Sequence, residues 1–149
     1  MSTRPVRSAI GLLAAAVVLL GGCSTTSGFE SEAGRTAQDG VSQIRTALVA
    51  VQAGLDAKLP DPYLVTVLED AEDALSSTQE SFRSLQPPAE GDADRLRGEV
   101  ASLLTRAVDG VAQLRIAEQR GDLQQLAATA ADLGPVADAL QRLGQEHSS

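Results

Sequence analysis

DPYLVTVLEDAEDALSSTQESFRSLQPP, residues 61–88, sets Leu64, Leu68, Ala71, Leu75, Thr78, Phe82 and Leu85 at alternating spacings of four and three. Only an α-helix brings that rhythm onto a single stripe, because its 3.6-residue turn returns to the same face every three or four positions. Asp61 offers an N-cap and Pro62 fits the first helical turn, where a missing N–H costs nothing. Pro87 and Pro88 stop the helix, since neither supplies a donor to the preceding turn. The segment therefore predicts one amphipathic helix with a defined start and end.

The same rhythm extends to both sides of it. From about Glu32 to Leu59, Ala37, Val41, Ile44, Leu48, Val51 and Leu55 form a stripe, weakened by Gly40 and Gly54 inside it. After the loop Ala89-Glu90-Gly91, Asp92 or Asp94 can cap a third helix. Its apolar set, Leu96, Val100, Leu103, Leu104, Ala107, Val108, Val111 and Leu114, is wider than the others and predicts the most buried helix. Gly121 suits a helix end and Asp122 an N-cap, with Gln125 placed as in a capping box. Leu123, Leu126, Ala130 and Leu133, then Val136 or Ala137, Leu140 and Leu143, carry a fourth stripe. Pro135 is expected to kink or split it.

Four helices of similar length joined by short turns predict an all-α, antiparallel up-down-up-down four-helix bundle, packed at about 20° with axes about 8–10 Å apart. Four stripes can satisfy one another within one chain, which favours a monomer over a dimer of helical hairpins. Aromatic residues make up only 2% of the sequence. The core must then be built from Leu, Val and Ala, which favours close helix packing.

The N-terminus follows a different plan. Arg4 and Arg7 precede an apolar run from Ala9 to Leu20 that ends in Gly21, Gly22 and Cys23. This is the arrangement of an export signal. As a helix the run spans about 18 Å at ~1.5 Å per residue, short of the ~30 Å hydrocarbon core of a bilayer, so a permanent spanning helix is the weaker reading. Leu20-Gly21-Gly22-Cys23 resembles the lipobox of bacterial lipoproteins. The resemblance covers the first 23 residues. It implies recognition of Leu20, Gly21 and Gly22 by a signal peptidase, cleavage before Cys23, and a diacylglyceryl group on that thiol. It places the mature chain on the extracytoplasmic face of the cell membrane. Ser24-Thr25-Thr26-Ser27-Gly28 has the composition of a flexible tether.

The expected organisation is thus a lipoprotein signal peptide at 1–22, a lipidated cysteine and tether at 23–30, the bundle at 31–143 and a disordered tail at 144–149. The ending Phe82-Arg83-Ser84-Leu85-Gln86-Pro87-Pro88 and the helix after it are similar to small actinobacterial lipoproteins of unknown function. Eleven Arg against a single Lys, Lys58, agree with a GC-rich genome. That likeness implies no activity.

Charge narrows the partners. The formal net charge is −8, and removing Arg4 and Arg7 with the signal leaves ten basic against twenty acidic side chains, or −10. Nucleic acid is repelled by such a body, and so is an anionic lipid surface, so membrane attachment rests on Cys23. A single cysteine excludes an intrachain disulfide.

Chemistry-bearing patterns are sparse. His147 is the only histidine and falls in the polar tail, where a solvated side chain is expected. Haem ligation and the paired Glu-x-x-His motifs of di-iron bundles are excluded for want of ligands. Glu69, Asp70, Glu72 and Asp73 could attract a cation but read as a solvated helix face, with no Gly-containing ligand loop beside them. Arg120-Gly121-Asp122 reads as a helix stop, turn and cap. Twenty acids offer carboxylate pairs by chance, and no nucleophile has a base, so no catalytic residue, metal site or cofactor is assigned. The sequence predicts a non-enzymatic lipoprotein that binds or assembles an envelope protein. The alternative is a carrier for a small apolar ligand or a cation, within or on the bundle.

Overall fold

The computed structural model describes residues 26–89 and 91–148. They form four α-helices: α1 (Thr26–Leu55), α2 (Asp61–Ser84), α3 (Gly91–Gln119) and α4 (Leu123–Glu146). The chain is an all-α, up-down-up-down bundle. Each helix packs on the next, and α4 closes the bundle against α1. Across the diagonal α1 also meets α3, whereas the backbones of α2 and α4 stay apart.

The stripes supply the core. Ile44, Leu68, Leu75, Leu104, Leu114, Leu126 and Leu140 are fully enclosed, and Phe82 is the largest side chain among them. The close diagonal contact follows from small residues on α1. A Cβ at Gly40 would lie 3.1 Å from Leu104 and 3.2 Å from Leu140, so the absent side chain is the space those leucines fill. For the same reason α1, with eleven buried residues, is more deeply enclosed than α3, with nine. The greater burial expected of α3 is thus corrected: its wide apolar set is buried except for half-buried Val108, but α1 adds further buried positions, among them Gly34 and Gly40, that apolar periodicity does not score.

Helix boundaries depart from expectation at both ends. The tether expected to run to residue 30 is helix from Thr26, and Phe29 and Ala33 are buried. They extend the α1 stripe upward from Ala37 in steps of four, and burial of a phenyl ring outweighs the poor helix propensity of Ser27 and Gly28. The expected disordered tail is corrected as well. Helix α4 continues to Glu146, Gly144 is buried, and His147 N–H bonds Leu143 O at 3.1 Å. Gly34 and Gly144 allow α1 and α4 to approach closely here. A Cβ on Gly34 would sit 2.6 Å from the His147 carbonyl oxygen.

Pro135 does not split α4, which is continuous through it. Gly134 precedes it, so the usual clash between proline and the preceding Cβ is missing. Pro135 itself lies on the exposed side of the helix. At the start of α2, Pro60 holds the N-cap position without a side-chain bond and Asp61 is the first helical residue, one position later than expected for a cap. Asp122 does cap α4, accepting the Gln125 N–H at 2.9 Å. The Gln125 side chain turns forward to Thr129 Oγ1 at 3.0 Å, so the reciprocal half of a capping box is not made.

The helix ends at residues 55–60 and 117–122 share one motif. Lys58 N–H bonds Ala53 O and Ala57 N–H bonds Gly54 O, both at 2.8 Å. Asp122 N–H bonds Ala117 O and Gly121 N–H bonds Glu118 O in the same pattern. Each is a Schellman ending with its pivot residue left-handed. The pivots are Ala57 at φ 54° and Gly121 at φ 66°. Among the described residues, no helix is long and apolar enough to cross a membrane.

Candidate functional site

The residues singled out for lipidation and cleavage, Cys23 with Leu20, Gly21 and Gly22, lie outside the described residues. What the structure adds is where the first helix begins. Only residues 24 and 25 separate Cys23 from the first residue of α1. Three Cα–Cα steps of about 3.8 Å reach roughly 11 Å at most, so the start of α1 lies within that distance of Cys23 along the chain.

That end of the bundle gathers the start of α1, residues 85–89 after α2, the start of α3 and the end of α4. A recess of about 310 Å³ opens there among Glu30, Asp92, Arg95, Glu99, Glu146 and His147. His147 is half-buried in it rather than solvated in a free tail. The carboxylates outnumber the cations, and Arg95 is paired to Asp92 at 2.9 Å. No group of three or more His, Cys, Asp or Glu among the described residues is placed to hold a metal ion.

The acidic run on α2 has a partner that its own helix does not reveal. Glu72 accepts the Arg115 Nε–H from α3 at 2.8 Å, and both side chains are about one-quarter exposed. The hydrogen bond from Arg115 to Glu72 raises the guanidinium above its ordinary pKa against the opposing effect of burial, with Glu72, Glu69 and Asp73 adding their fields. Arg115 already supplies the positive charge at the point where a cation would be expected. Glu69, Asp70 and Asp73 are exposed to solvent around it. A partly exposed pair of this kind contributes about 1 kcal/mol or less, so its main consequence is to keep α2 and α3 in register.

At the opposite end of the bundle, Asp61 at the start of α2 is near enough for its charge to act on Glu118, at the end of α3. Burial, then the charge of Asp61, pushes the Glu118 carboxyl above its ordinary range. Two open grooves run along α4. The one toward α3, about 250 Å³, mixes Arg106, Asp109 and Asp132 with Leu133 and Val136. The one toward α1, about 340 Å³, is lined by Leu48, Val51, Gln52 and Leu55 with Ala127, Ala130 and Ala131, and carries no charged side chain. Sequence periodicity assigned Leu55 and Leu123 to the core, but both are exposed, Leu123 by 60%. They sit at helix ends, where no neighbouring turn continues to cover them.

Arg120-Gly121-Asp122 is the turn and cap that its residues suggested, with Gly121 left-handed and Asp122 bonded to Gln125. No family model, no curated protein and no solved structure matches this chain.

Proposed function

We propose that the chain is an exported protein held by acyl chains on Cys23 to the extracytoplasmic face of a bacterial cell membrane, with a helical bundle that engages another envelope protein and catalyses no reaction. The observation that carries the reading is Leu20-Gly21-Gly22-Cys23 closing a short apolar run behind Arg4 and Arg7. Three residues further on, α1 begins. Two acyl chains hold firmly where one holds marginally, and small residues before the cysteine let the backbone enter a protease cleft. A body of charge −10 gains nothing electrostatically from an anionic bilayer, so a covalent anchor is what keeps it there.

A bundle that starts directly after its anchor stands as a short post. Helix α1, at 30 residues and ~1.5 Å each, reaches about 45 Å. The 56–60 and 120–122 turns occupy its far end. A rigid post presents side surfaces to neighbours in the envelope, which supports an interaction role.

Replacing Cys23 by Ala tests the anchor. The expected result is loss of incorporated fatty-acid label, retention of the precursor length on a gel, and transfer from the detergent to the aqueous phase. An unchanged label, size and partition would overturn it. The interaction role is tested by a photocrosslinking residue at Ala127, which should give a discrete adduct in living cells, while one at Ser77 on the α2 surface should not. Equal adducts from both positions, or none from either, would refute it.

A further inference from the structure

Helix α1 begins in sequence that does not favour a helix. Seven of the fifteen residues from Thr26 to Gly40 are Gly, Ser or Thr, with Gly28, Gly34 and Gly40 among them. Each of these types lowers helix stability relative to Ala, and a helical stretch of this length is marginal by itself in water. What keeps these turns helical must come from across the bundle.

Two fastenings do so. Phe29 packs on Phe82 of α2, and the end of α4 closes over the turns that follow. Gln38 Nε2 donates to Gly144 O at 3.4 Å and to Ser148 Oγ, whose hydroxyl donates in turn to Gly144 O. The two backbones meet at glycines. A Cβ on Gly34 would lie 2.6 Å from His147 O, and one on Gly144 would lie 2.8 Å from Gln38 Cγ. Gly34 and Gly144 are buried by this contact, while Gln38 itself is exposed. Hydrogen bonds between neutral groups at a surface contribute little each, so the contact holds through its number of parts and can be undone.

We infer that residues 144–148 are a clasp that sets whether Thr26–Gly40 is the first length of a post or a tether. Closed, these fifteen residues are helix and span about 22 Å at ~1.5 Å each. Released, they revert to what their composition favours, and the stretch from Cys23 to Val41 then reaches about 60 Å at most, at ~3.3 Å per residue. Proteins open locally where stability is lowest, and a helix end of poor propensity held by few contacts is such a place. The core beyond it, with Ile44, Leu68, Leu104 and Leu140, stays enclosed by the four stripes. A partner that takes up the end of α4 shifts the chain toward the open form and lets the body move off the membrane. This inference rests on the reading of the chain as a membrane-anchored binding module and adds how its reach is set.

Hydrogen exchange of the purified full chain in phosphatidylcholine nanodiscs reads the opening. Gly34→Ala is the decisive variant because two effects oppose each other there. Ala raises helix propensity and slows local exchange where nothing crowds it, as Gly98→Ala should show, with no atom within 4 Å of the new Cβ. At residue 34 the added methyl group meets the His147 carbonyl instead. Exchange of residues 26–40 should accelerate about tenfold or more, with the other helices unchanged. Gln38→Ala removes the bonds to Gly144 and Ser148 at an exposed position. It should act in the same direction and covers the case in which Gly34→Ala folds poorly. Trypsin gives a second readout, since Arg35 is the only Lys or Arg between Arg7 and Arg45 and lies within the helix when the clasp is closed. Both variants should be cut after Arg35 faster than the parent, shedding the body from the disc.

Slowed or unchanged exchange of residues 26–40, in whichever variant folds, overturns the inference. So does acceleration spread evenly over all four helices, and so does cleavage after Arg35 as fast in the parent as in the variants. A parent chain that leaves the discs before protease is added, yet whose residues 26–40 respond to Gly34→Ala, keeps the clasp and loses the anchor.

Discussion

The rings of Phe29 and Phe82 lie 6.1 Å apart at an interplanar angle of 33°, joining the first turn of α1 to the last turn of α2. They are the only phenylalanines in the sequence, and both are almost wholly buried. The contact fastens residues that composition alone assigns to a linker. It also makes the start of α1 a rigid continuation of the bundle, which is why the body begins so near Cys23.

Phe29→Ala should therefore cost about 3 kcal/mol, the order measured when a buried phenyl group is removed, together with its pair interaction. The check is urea unfolding followed by circular dichroism. A linker residue would show no change in midpoint, so an unaltered curve would restore the tether as first expected.

The two Schellman endings predict effects of opposite sign. Ala57 holds a left-handed conformation that costs an L-residue roughly 1–2 kcal/mol, and Gly121 holds the same conformation freely. Ala57→Gly should stabilise the bundle by about 0.5–1 kcal/mol, and Gly121→Ala should destabilise it by about 1 kcal/mol. Nothing lies within 4 Å of a Cβ placed on Gly121, so the penalty is conformational and not steric crowding. Thermal melts of the two variants with the parent are sufficient. Shifts of the same sign in both would refute the assignment.

Glu118 predicts a pH dependence. Burial, then Asp61, raises its carboxyl pKa in the folded chain. Between the ordinary carboxyl value of about 4.3 and the raised one, the folded chain binds more protons than the unfolded chain, so stability falls as pH rises through that window. The favourable contribution is complete below the ordinary value and lost above the raised one. Glu118→Gln should raise the melting temperature near about pH 7 more than near about pH 4. Asp61→Asn should give a smaller change in the same direction, because Asp61 is the secondary cause. A Glu118→Gln melting curve parallel to the parent at every pH would count against it.

Much of this molecule is readable from periodicity. Leu64, Leu68, Ala71, Leu75 and Phe82 are buried where their spacing places them, Asp122 caps where its type suggests, and Gly121 turns left-handed where a helix must stop. These are local decisions, set by a 3.6-residue turn and by which residues tolerate a given backbone. Phe29 was equally available as the next step of four before Ala33. Its neighbours Ser27 and Gly28 outweighed it because propensity is scored along the chain, while burial is settled across it.

What the sequence by itself determined is the number of helices, their inward stripes, their stops and the lipobox-like run ending at Cys23. Only the tertiary structure decided which helices are neighbours. That decision joined Glu72 to Arg115, folded the last residues onto Gly34, and set Thr46–Leu55 beside Leu123–Ala131. The physical reason is that a stripe specifies that a face must be buried but not against which partner. The choice of partner depends on how closely two backbones can approach, and that is fixed by small residues such as Gly40 and Gly144, which hydrophobic periodicity does not register.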